Sequence, residues 1–493
     1  MKKSWVKKAL MLTVALTMIV PMLAACTKKE EAVPPGQERV LRIAVPYGGG
    51  DDSWFRQQYV EAFEMSNPNV RIELVPAVNY EDRRFENNDD PKKKEPSMKE
   101  SWKKVLEGAN AVDVVISDSQ SFRQLAKDGM LAKLDERIVQ DKFDTSDIVP
   151  AVQDGIKAMG EGSLYGLAPT FNSSALLYNK KLFQDAGVEL PKDGMTWDEV
   201  FSLAQRVSKG EGKNRTYGFA FDRYTGDPYY SMTYAYMSPL QLQSFDNKAE
   251  KMLVNSPKWE QAWDKVAKLY KDKVIPTQDA MMMDGPQQED NPFAHDQFLS
   301  GKVAMMLTDM YYMNGDLASA ARNAGKIKNF KPFEWDVVTV PHHSEVPGVS
   351  SMIGINNIFS INAKAPNADD AWNFIQYVNG EQWAKVRSRS TNYEMVTRKS
   401  YIKPKEGLNY NIAAFYNVKP AMPSMGNQEL YETKSDLHHV DSIAQQLFNE
   451  VVTGKKTTKD ALKEWETKGN EMLQKIKNGV PIQPEGVPGG VYR

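Results

Sequence analysis

The chain has 493 residues, with 62 Lys and Arg against 64 Asp and Glu and a formal net charge of −2 at pH 7. A chain of this length can bury large hydrophobic cores and is expected to fold into at least two domains. The nearly balanced charge argues against nucleic acid or an anionic membrane surface as a partner. Cys26 is the only cysteine, which excludes an intramolecular disulfide.

The first 25 residues have the pattern of a secretory signal peptide. Four lysines lie among the first eight residues, an apolar run covers 9–20, and small residues precede Cys26. The apolar run is too short to span a bilayer, so residues 1–25 are predicted to be removed. Residues 27–38 are charged and contain proline, which predicts a flexible linker.

The string Leu23-Ala24-Ala25-Cys26 resembles a bacterial lipobox. This resemblance implies cleavage before Cys26, a lipid on its sulfur and a location at the extracytoplasmic face of the cell membrane. One acyl chain gives only marginal anchoring, so more than one would be needed. The alternative is an ordinary signal peptide followed by an incidental cysteine.

The mature chain begins with a βαβ pattern. The run 41–45 predicts a strand, and Phe55, Tyr59, Ala62 and Phe63 recur at helical spacing. A second strand is predicted over 70–74 and a third over 112–116. The order strand, helix, strand favours a parallel, doubly wound sheet.

The charged segment 79–101 is predicted to be a solvated surface insertion. Further along the chain, helix starts are marked by the capping box Thr196 to Glu199 and by Ser256-Pro257. Buried stripes are predicted behind Ser256, over 366–378 and in the final helix. Their apolar members are Trp259, Trp263, Val266, Tyr270, Ala371, Trp372, Ile375, Val378, Leu462, Trp465, Leu473 and Ile476.

Four segments together resemble the extracellular solute-binding proteins of the maltose/oligosaccharide class, which serve ABC importers. They are 162–199, with Tyr165-Gly166-Leu167 and Leu177-Tyr178-Asn179; 298–306; 354–382; and 460–465. Each segment is weak alone, and their order over most of the mature chain carries the resemblance. The insertion at 79–101 and the length of the chain depart from the compact sugar receptors.

The resemblance implies an α/β, two-lobed periplasmic-binding-protein-like fold (type II), with parallel-sheet lobes joined by a hinge. Lobe I would contain residues 39–170 and 352–415, and lobe II residues 171–351 and 416–493. The first crossing between them is expected near 169–172. Hinge closure around a ligand is a known class of motion.

A sugar receptor needs aromatic planes for stacking and short polar side chains for hydrogen bonds. In open α/β sheets the ligand lies beyond the carboxyl ends of the strands. After the first strand this rule selects Tyr47, Asp51 and Asp52, and after the third it selects Asp118 and Ser119. The alternative for the aspartates is capping of the helix that follows each strand.

Other candidates come from the resemblance. Asn172, six residues before Tyr178, matches a family position that often contacts sugar. The strand expected at 302–307 leads to Asp309 and Tyr311, where the family places a stacking aromatic. The alternative for Tyr311 is that it packs with Tyr312 on the lobe surface.

Residues 222–230 form an aromatic and acidic cluster, which either extends the cleft or is a surface loop. Its candidate ligand residues are Tyr224 and Tyr229, accompanied by Asp222, Arg223, Asp227 and Tyr230. Trp54, at the start of the first helix, is expected to face the core.

No metal site or cofactor is expected. The five histidines include two adjacent pairs, whose side chains would point to opposite sides of a strand. There is no second cysteine for a Cys/His zinc site and no Walker loop, Gly-x-Ser-x-Gly elbow or His-Glu-x-x-His motif.

The sequence therefore predicts a monomeric binding lipoprotein, not an enzyme, that captures an extracellular oligosaccharide and delivers it to the permease subunits of an ABC transporter. One alternative is a lipid-anchored glycoside hydrolase that uses two carboxylates. Others are a receptor for a non-sugar solute and a receptor that reports to a membrane sensor.

Overall fold

A computed structural model describes residues 38–85, 96–277, 291–328, 330–390, 393–422, 428–480 and 482. Its strands are β1 (Arg39–Gly48), β2 (Val70–Asn79), β3 (Val114–Ser117), β4 (Gly166–Leu167), β5 (Thr170–Asn179), β6 (Tyr217–Ala220), β7 (Val303–Asp309), β8 (Trp335–Thr339), β9 (Val349–Ser350), β10 (Ile353–Gly354), β11 (Ile358–Ile361), β12 (Met395–Val396) and β13 (Lys419–Pro420).

The α-helices are α1 (Ser53–Phe55), α2 (Glu61–Ser66), α3 (Tyr80–Phe85), α4 (Met98–Glu107), α5 (Ser119–Lys127), α6 (Asp135–Gln140), α7 (Pro150–Met159), α8 (Lys180–Ala186), α9 (Trp197–Val207), α10 (Pro228–Met232), α11 (Pro257–Lys271), α12 (Met310–Tyr312), α13 (Ala318–Asn323), α14 (Ala368–Val378), α15 (Glu381–Arg387), α16 (Gln428–Thr433), α17 (His438–Val452) and α18 (Thr458–Lys477). Wider π-helical turns over Arg56–Val60, Thr233–Met237 and Met313–Leu317 adjoin α1, α10 and α12.

The first sheet has the strand order β2-β1-β3-β11-β4. β1 runs parallel to β2 and β3, as the βαβ pattern predicts, and β11 runs antiparallel to β3 and β4. The expectation of a wholly parallel sheet is therefore wrong, and the sheet is mixed. No crossover helix joins β3 directly to β11, so the βαβ rule does not fix the direction of β11.

The second sheet is built around β5. Its order is β10-β5-β7-β6, and β8 and β12 also pair with β5. β7 and β8 run antiparallel to β5, whereas β6 runs parallel to β7. This sheet is also mixed, contrary to the prediction. The chain passes from the first sheet to the second between β4 and β5, at residues 168–169.

The predicted helix signals are largely confirmed. Thr196 and Glu199 form a capping box at α9, in which the Thr196 N–H donates to Glu199 Oε2 at 2.7 Å. Pro257 is the first residue of α11, but Ser256 makes no side-chain capping bond within the described residues. The stripe on α11 is buried and packs on the final helix, with the Trp263 and Trp465 rings 5.6 Å apart.

The first helical segment differs from the helix that its apolar spacing predicts. Tyr59 and Phe63 are buried, and Tyr59 stacks on Trp383 of α15. Ala62, which the spacing placed on the same face, is exposed. A reason is the π-helical turn over Arg56–Val60, which alters the helical phase between Phe55 and Phe63.

The charged insertion is shorter than predicted. Residues 80–85 form α3, and α4 begins at Met98, where Ser97 and Glu100 form a capping box. Ser101 and Trp102 are buried because this helix packs on the first sheet. The centre of the insertion, 86–95, lies outside the described residues, as does everything before residue 38, including the predicted signal peptide and Cys26.

Among the residues that the structure describes, no helix is both long enough and apolar enough to cross a bilayer.

Candidate functional site

Among the described residues, two cavities flank the segment 352–356, which contains β10. The first has a volume of about 330 Å³ and the second about 320 Å³. Ile353 lines the first cavity, and Met352 lines the second. Consecutive residues thus face different cavities, and this short segment is a wall common to both.

The first cavity includes Asp118 and Ser119, at the turn between β3 and α5. Asp118 Oδ1 accepts hydrogen bonds from the N–H groups of Gln120 and Ser121 at 2.9 and 2.8 Å. Asp118 is nevertheless exposed, and its Oδ2 accepts a longer hydrogen bond from Ser121 Oγ, at 3.2 Å. The carboxylate caps the helix with one oxygen and presents the other to solvent.

Ser119 fixes the shared wall to the first sheet. Its Oγ donates to the carbonyl oxygen of Ile355 at 2.6 Å. Gly155 of α7 also approaches this wall closely. A Cβ added at Gly155 would lie 2.9 Å from Ile355 Cδ1 and 2.7 Å from Pro420 Cγ. Only glycine permits this approach, so α7 can form the floor of the first cavity.

The second cavity lies at the carboxyl ends of β6 and β7. Asp309 ends β7, and its Oδ1 accepts a hydrogen bond from the N–H of Tyr312 at 2.9 Å. This cap turns the chain so that Tyr311 stands 44% exposed beside the cavity, while Tyr312 is buried. The adjacent tyrosines therefore have different environments, and Tyr311 is free to offer part of its ring.

Tyr312 anchors the turn in the core. Its hydroxyl donates to Asp296 Oδ1 at 2.8 Å, and both side chains are buried. Burial raises the pKa of the Asp296 carboxyl above its usual value, and burial also raises the pKa of Tyr312. The hydrogen bond holds Tyr312 in place, which in turn fixes the backbone that carries Tyr311.

Arg223 follows β6 and lines the second cavity. Its Nη1 forms an ion pair with Asp316 Oδ2. The guanidinium lies 4.5 Å from the ring centroid of Tyr224, 5.8 Å from that of Tyr311 and 5.6 Å from that of Tyr312. Cation–π attraction at these distances groups the three rings around one arginine.

Two carboxylates, Asp222 and Asp309, line this cavity. Burial raises the pKa of the Asp222 carboxyl above its usual value, and the negative charge of Asp309 raises it further. Asp222 accepts a hydrogen bond from the N–H of Arg223 at 2.5 Å, which partly offsets the effect. The cavity thus combines acceptor oxygens with aromatic surface.

Tyr47, near the end of β1, and Asp51 and Asp52, which follow this strand, lie at the same edge of the first sheet, outside the lining of either cavity. Tyr47 stacks on Tyr80, with ring centroids 5.6 Å apart and planes within 9°. Asp51 Oδ1 accepts a hydrogen bond from the N–H of Ser53, and Asp52 is exposed. Trp54, predicted to face the core, is instead 60% exposed, and none of the residues of α1 is buried.

Asn172 lies in β5, opposite Gly354 of β10, and is half-buried. It is not among the described residues that line the two cavities. Gly354 itself lines the first cavity, so Asn172 is one strand away from it.

The 222–230 cluster divides into separate roles. Asp222, Arg223 and Tyr230 line the second cavity, and Tyr224 is exposed over Arg223. Tyr229 is only 5% exposed; it packs in the core against Trp263 and Phe448. Asp227 caps α10 and accepts hydrogen bonds from the side chains of Gln445 and Asn449.

Tyr229 thus occupies a core position, which differs from the cleft-facing role proposed for it. The neighbouring ring of Tyr230 is 55% exposed instead. On a helix, adjacent residues point about 100° apart, so composition alone does not tell which of two tyrosines faces the cavity.

Several lining residues were missed by the sequence reasoning. They include Ser174, Tyr234 and Met352 in the second cavity and Asn356 in the first. Tyr234 follows Tyr230 by four residues, and this spacing on one helical face was an available signal.

Within the described ranges, no cluster of three or more His, Cys, Asp or Glu side chains has a metal-binding arrangement.

A protein-family model described as bacterial extracellular solute-binding protein matches residues 93–411. Among curated relatives, a binding protein of Brucella abortus is 23% identical over 262 residues, or 53% of this chain and 57% of its own length. The match therefore spans little more than half of that relative. The sn-glycerol-3-phosphate-binding periplasmic protein UgpB of Escherichia coli K12 is 22% identical over 362 residues, or 68% of this chain and 73% of its own length.

Solved structures share the fold. The sugar-binding protein MalE of Xanthomonas citri superposes with a TM-score of 0.57 at 16% identity, over 89% of this chain and 98% of its own. An ABC substrate-binding protein of Listeria monocytogenes, solved in complex with cycloalternan, superposes with a TM-score of 0.50 at 20% identity, over 89% of this chain and 100% of its own. The chain has the α/β periplasmic binding protein fold, with two mixed sheets.

Proposed function

The chain belongs to the bacterial extracellular solute-binding protein family, and from this premise we propose that it captures a carbohydrate between its lobes for an ABC importer. The family consists of binding receptors rather than enzymes, so the glycoside hydrolase alternative is set aside. We further propose that this carbohydrate is an oligosaccharide, and this more specific proposal rests on the chemistry of the two cavities.

The observation that carries the proposal is the exposed ring of Tyr311 beside the Asp309 carboxylate. Tyr230 and Tyr234 add exposed aromatic surface to the same cavity. Sugars present apolar ring faces and many hydroxyls, which match aromatic planes and carboxylate acceptors. Asp118 and Ser119 supply further polar atoms across the shared wall.

The mechanism follows from the position of the cavities. The first cavity contains the end of β3 in the first sheet together with β10 of the second sheet, and the second cavity contains the ends of β6 and β7. A solute that contacts both gains more contacts when the lobes approach each other, so it shifts the population toward the closed form. The closed form would then dock on the permease subunits.

The lobe boundaries remain part of the proposal: residues 39–170 with 352–415 as lobe I, and 171–351 with 416–493 as lobe II. The hinge is proposed near 169–172. The change of sheet between β4 and β5 supports this position. The candidate ligand residues Asn172, Tyr47, Asp51, Asp52 and Tyr224 are proposed as outer contacts, since none of them lines either cavity.

We also propose that the protein acts as a monomer held at the cell membrane by a lipid on Cys26. The lipobox-like Leu23-Ala24-Ala25-Cys26 supports the anchor. Attachment would keep the receptor close to its permease and raise the local concentration of the loaded form.

The proposed function is tested by thermal unfolding of residues 27–493 with maltotriose, cellotriose, xylotriose and longer homologues, together with chromatography for cleavage products. Binding to the folded state alone adds about 2.7 kcal/mol of stability at 100 times Kd. A rise in melting temperature with one intact glycan is expected. No rise with any sugar would contradict the carbohydrate proposal, and released products would indicate an enzyme.

A further inference from the structure

The charges that line the two cavities are mostly negative. Among their described lining residues are three carboxylates, Asp118, Asp222 and Asp309, and one cation, Arg223. An anionic solute would need a cation or several free N–H donors to replace its water. The availability of Arg223 therefore decides which charge the site accepts.

Arg223 is already committed within the protein. Its Nη1 is paired with Asp316 Oδ2, and its plane lies among the rings of Tyr224, Tyr311 and Tyr312. Its side chain is only about one-fifth exposed. An incoming anion would have to compete with a carboxylate that is tethered next to the guanidinium.

The two remaining carboxylates oppose an anion further. Asp222 and Asp309 both line the second cavity, and the negative charge of Asp309 adds to the effect of burial in raising the pKa of Asp222. Added negative charge would strengthen this repulsion in a partly desolvated cavity. A neutral solute avoids it and can use the same oxygens as hydrogen-bond acceptors.

We propose that Asp316 is a specificity-determining residue: by holding Arg223, it leaves the second cavity without an available cation and restricts the receptor to uncharged solutes. This inference rests on the proposed function. It separates this chain from the glycerol-phosphate-binding relatives, which are named for an anionic solute.

The test measures the binding of neutral and anionic probes to the mature protein by calorimetry. The neutral probes are maltotriose, cellotriose and xylotriose, and the anionic probes are sn-glycerol 3-phosphate and inorganic phosphate. The wild type is expected to bind one neutral probe at least about tenfold more tightly than either anion. Tighter binding of an anion would overturn the inference, but it would not contradict the proposal that the protein is a solute receptor.

The Asp316→Asn variant releases the charge of Arg223. It is expected to gain about tenfold or more in affinity for sn-glycerol 3-phosphate, and the gain should disappear when Arg223→Gln is added. The matched control is Asp185→Asn, which removes a similarly exposed carboxylate from its pair with Lys181, outside both cavities. It should leave the affinity for anions unchanged.

Retained affinity for the neutral probe, within about threefold, would show that Asp316→Asn is folded. Unchanged affinity for anions in that folded variant would overturn the inference. If neither class of probe binds the wild type, the proposed function fails and the inference fails with it.

Discussion

The ring of Tyr393 stacks on the ring of Tyr311, with centroids 4.8 Å apart and planes within 10° of parallel. Tyr311 follows β7 in the second sheet, and Tyr393 lies between α15 and β12. The proposed domain boundaries place the two residues in different lobes. The contact covers part of the ring that is proposed to stack on the solute, and under the proposed boundaries it would cross the hinge.

The first prediction concerns Tyr393→Ala. A solute that stacks on the covered part of Tyr311 must displace Tyr393, and an aromatic pair is worth about 0.5–1.5 kcal/mol. Removing Tyr393 should raise the affinity for the solute by about two- to tenfold, as measured by calorimetry. Val386→Ala, an exposed change on the preceding helix, is the control. Weaker binding would instead mean that Tyr393 contacts the solute directly.

The second prediction separates two roles of Asp118. Asp118→Asn keeps an oxygen that can cap α5 but removes the charge, whereas Asp118→Ala also removes the cap. Both should weaken solute binding by about tenfold, since hydrogen bonds to a charged acceptor are lost. Only Asp118→Ala should lower the free energy of unfolding, by about 1 kcal/mol.

Chemical denaturation of both variants measures the capping effect independently of the solute. Equal loss of stability in the two variants would show that the charge itself, rather than the cap, stabilises the helix. Unchanged binding in both would remove Asp118 from the site.

The third prediction is a dependence of stability on pH. His343 is buried, and its Nε2–H donates to the carbonyl oxygen of Tyr236 at 2.6 Å. Burial lowers the pKa of its imidazole from the ordinary value of 6.5, although Tyr236, Glu345 and Asp198 act in the opposite direction. The folded protein therefore binds fewer protons than the unfolded chain as the pH falls through 6.5.

Stability should consequently decrease as the pH falls from above 6.5 toward the lowered pKa of His343. His343→Gln removes this titration, so its melting temperature should fall less between about pH 7.5 and about pH 5.5. Thermal unfolding of both proteins across this range measures the difference. Parallel curves would show that protonation of His343 does not limit stability.

The fourth prediction tests the membrane anchor. Cys26→Ser removes the sulfur that would carry the lipid while leaving the signal-peptide pattern intact. The variant should move from the membrane fraction to the soluble extracytoplasmic fraction, with unchanged solute affinity in vitro. An unchanged distribution between the fractions would contradict lipid attachment at this residue.

Local signals explain what the sequence could predict. The capping box at Thr196 and the stripe on α11 are encoded within a few residues, and both are present in the structure. In β1 and β2, apolar residues alternate with polar ones or form continuous runs, and these patterns are long enough to indicate a strand. Asp118 was selected because it follows a strand, and strand ends lie at the ligand edge of such sheets. Asp309 and Tyr311 were selected because the resemblance places a stacking aromatic after the strand expected at 302–307.

Long-range pairing explains what was missed. β10 and β12 are two residues long, have no detectable periodicity and exist because they pair with β5. The ion pair between Arg223 and Asp316 joins positions 93 residues apart, and Tyr393 has no local pattern that points to Tyr311. Tyr229 and Tyr230 are neighbours of one type, and only the packing of α10 on α17 decides which is buried.

The central claim is that one solute contacts both cavities. Calorimetric titration of the neutral oligosaccharide into the wild type, Tyr311→Ala and Asp118→Asn tests it most directly, with Tyr311→Phe as the variant that keeps the ring. Bridging predicts that Tyr311→Ala and Asp118→Asn each raise Kd about tenfold or more, and that Tyr311→Phe stays within about threefold. An unchanged Kd in either of the first two variants would show that a single lobe holds the solute.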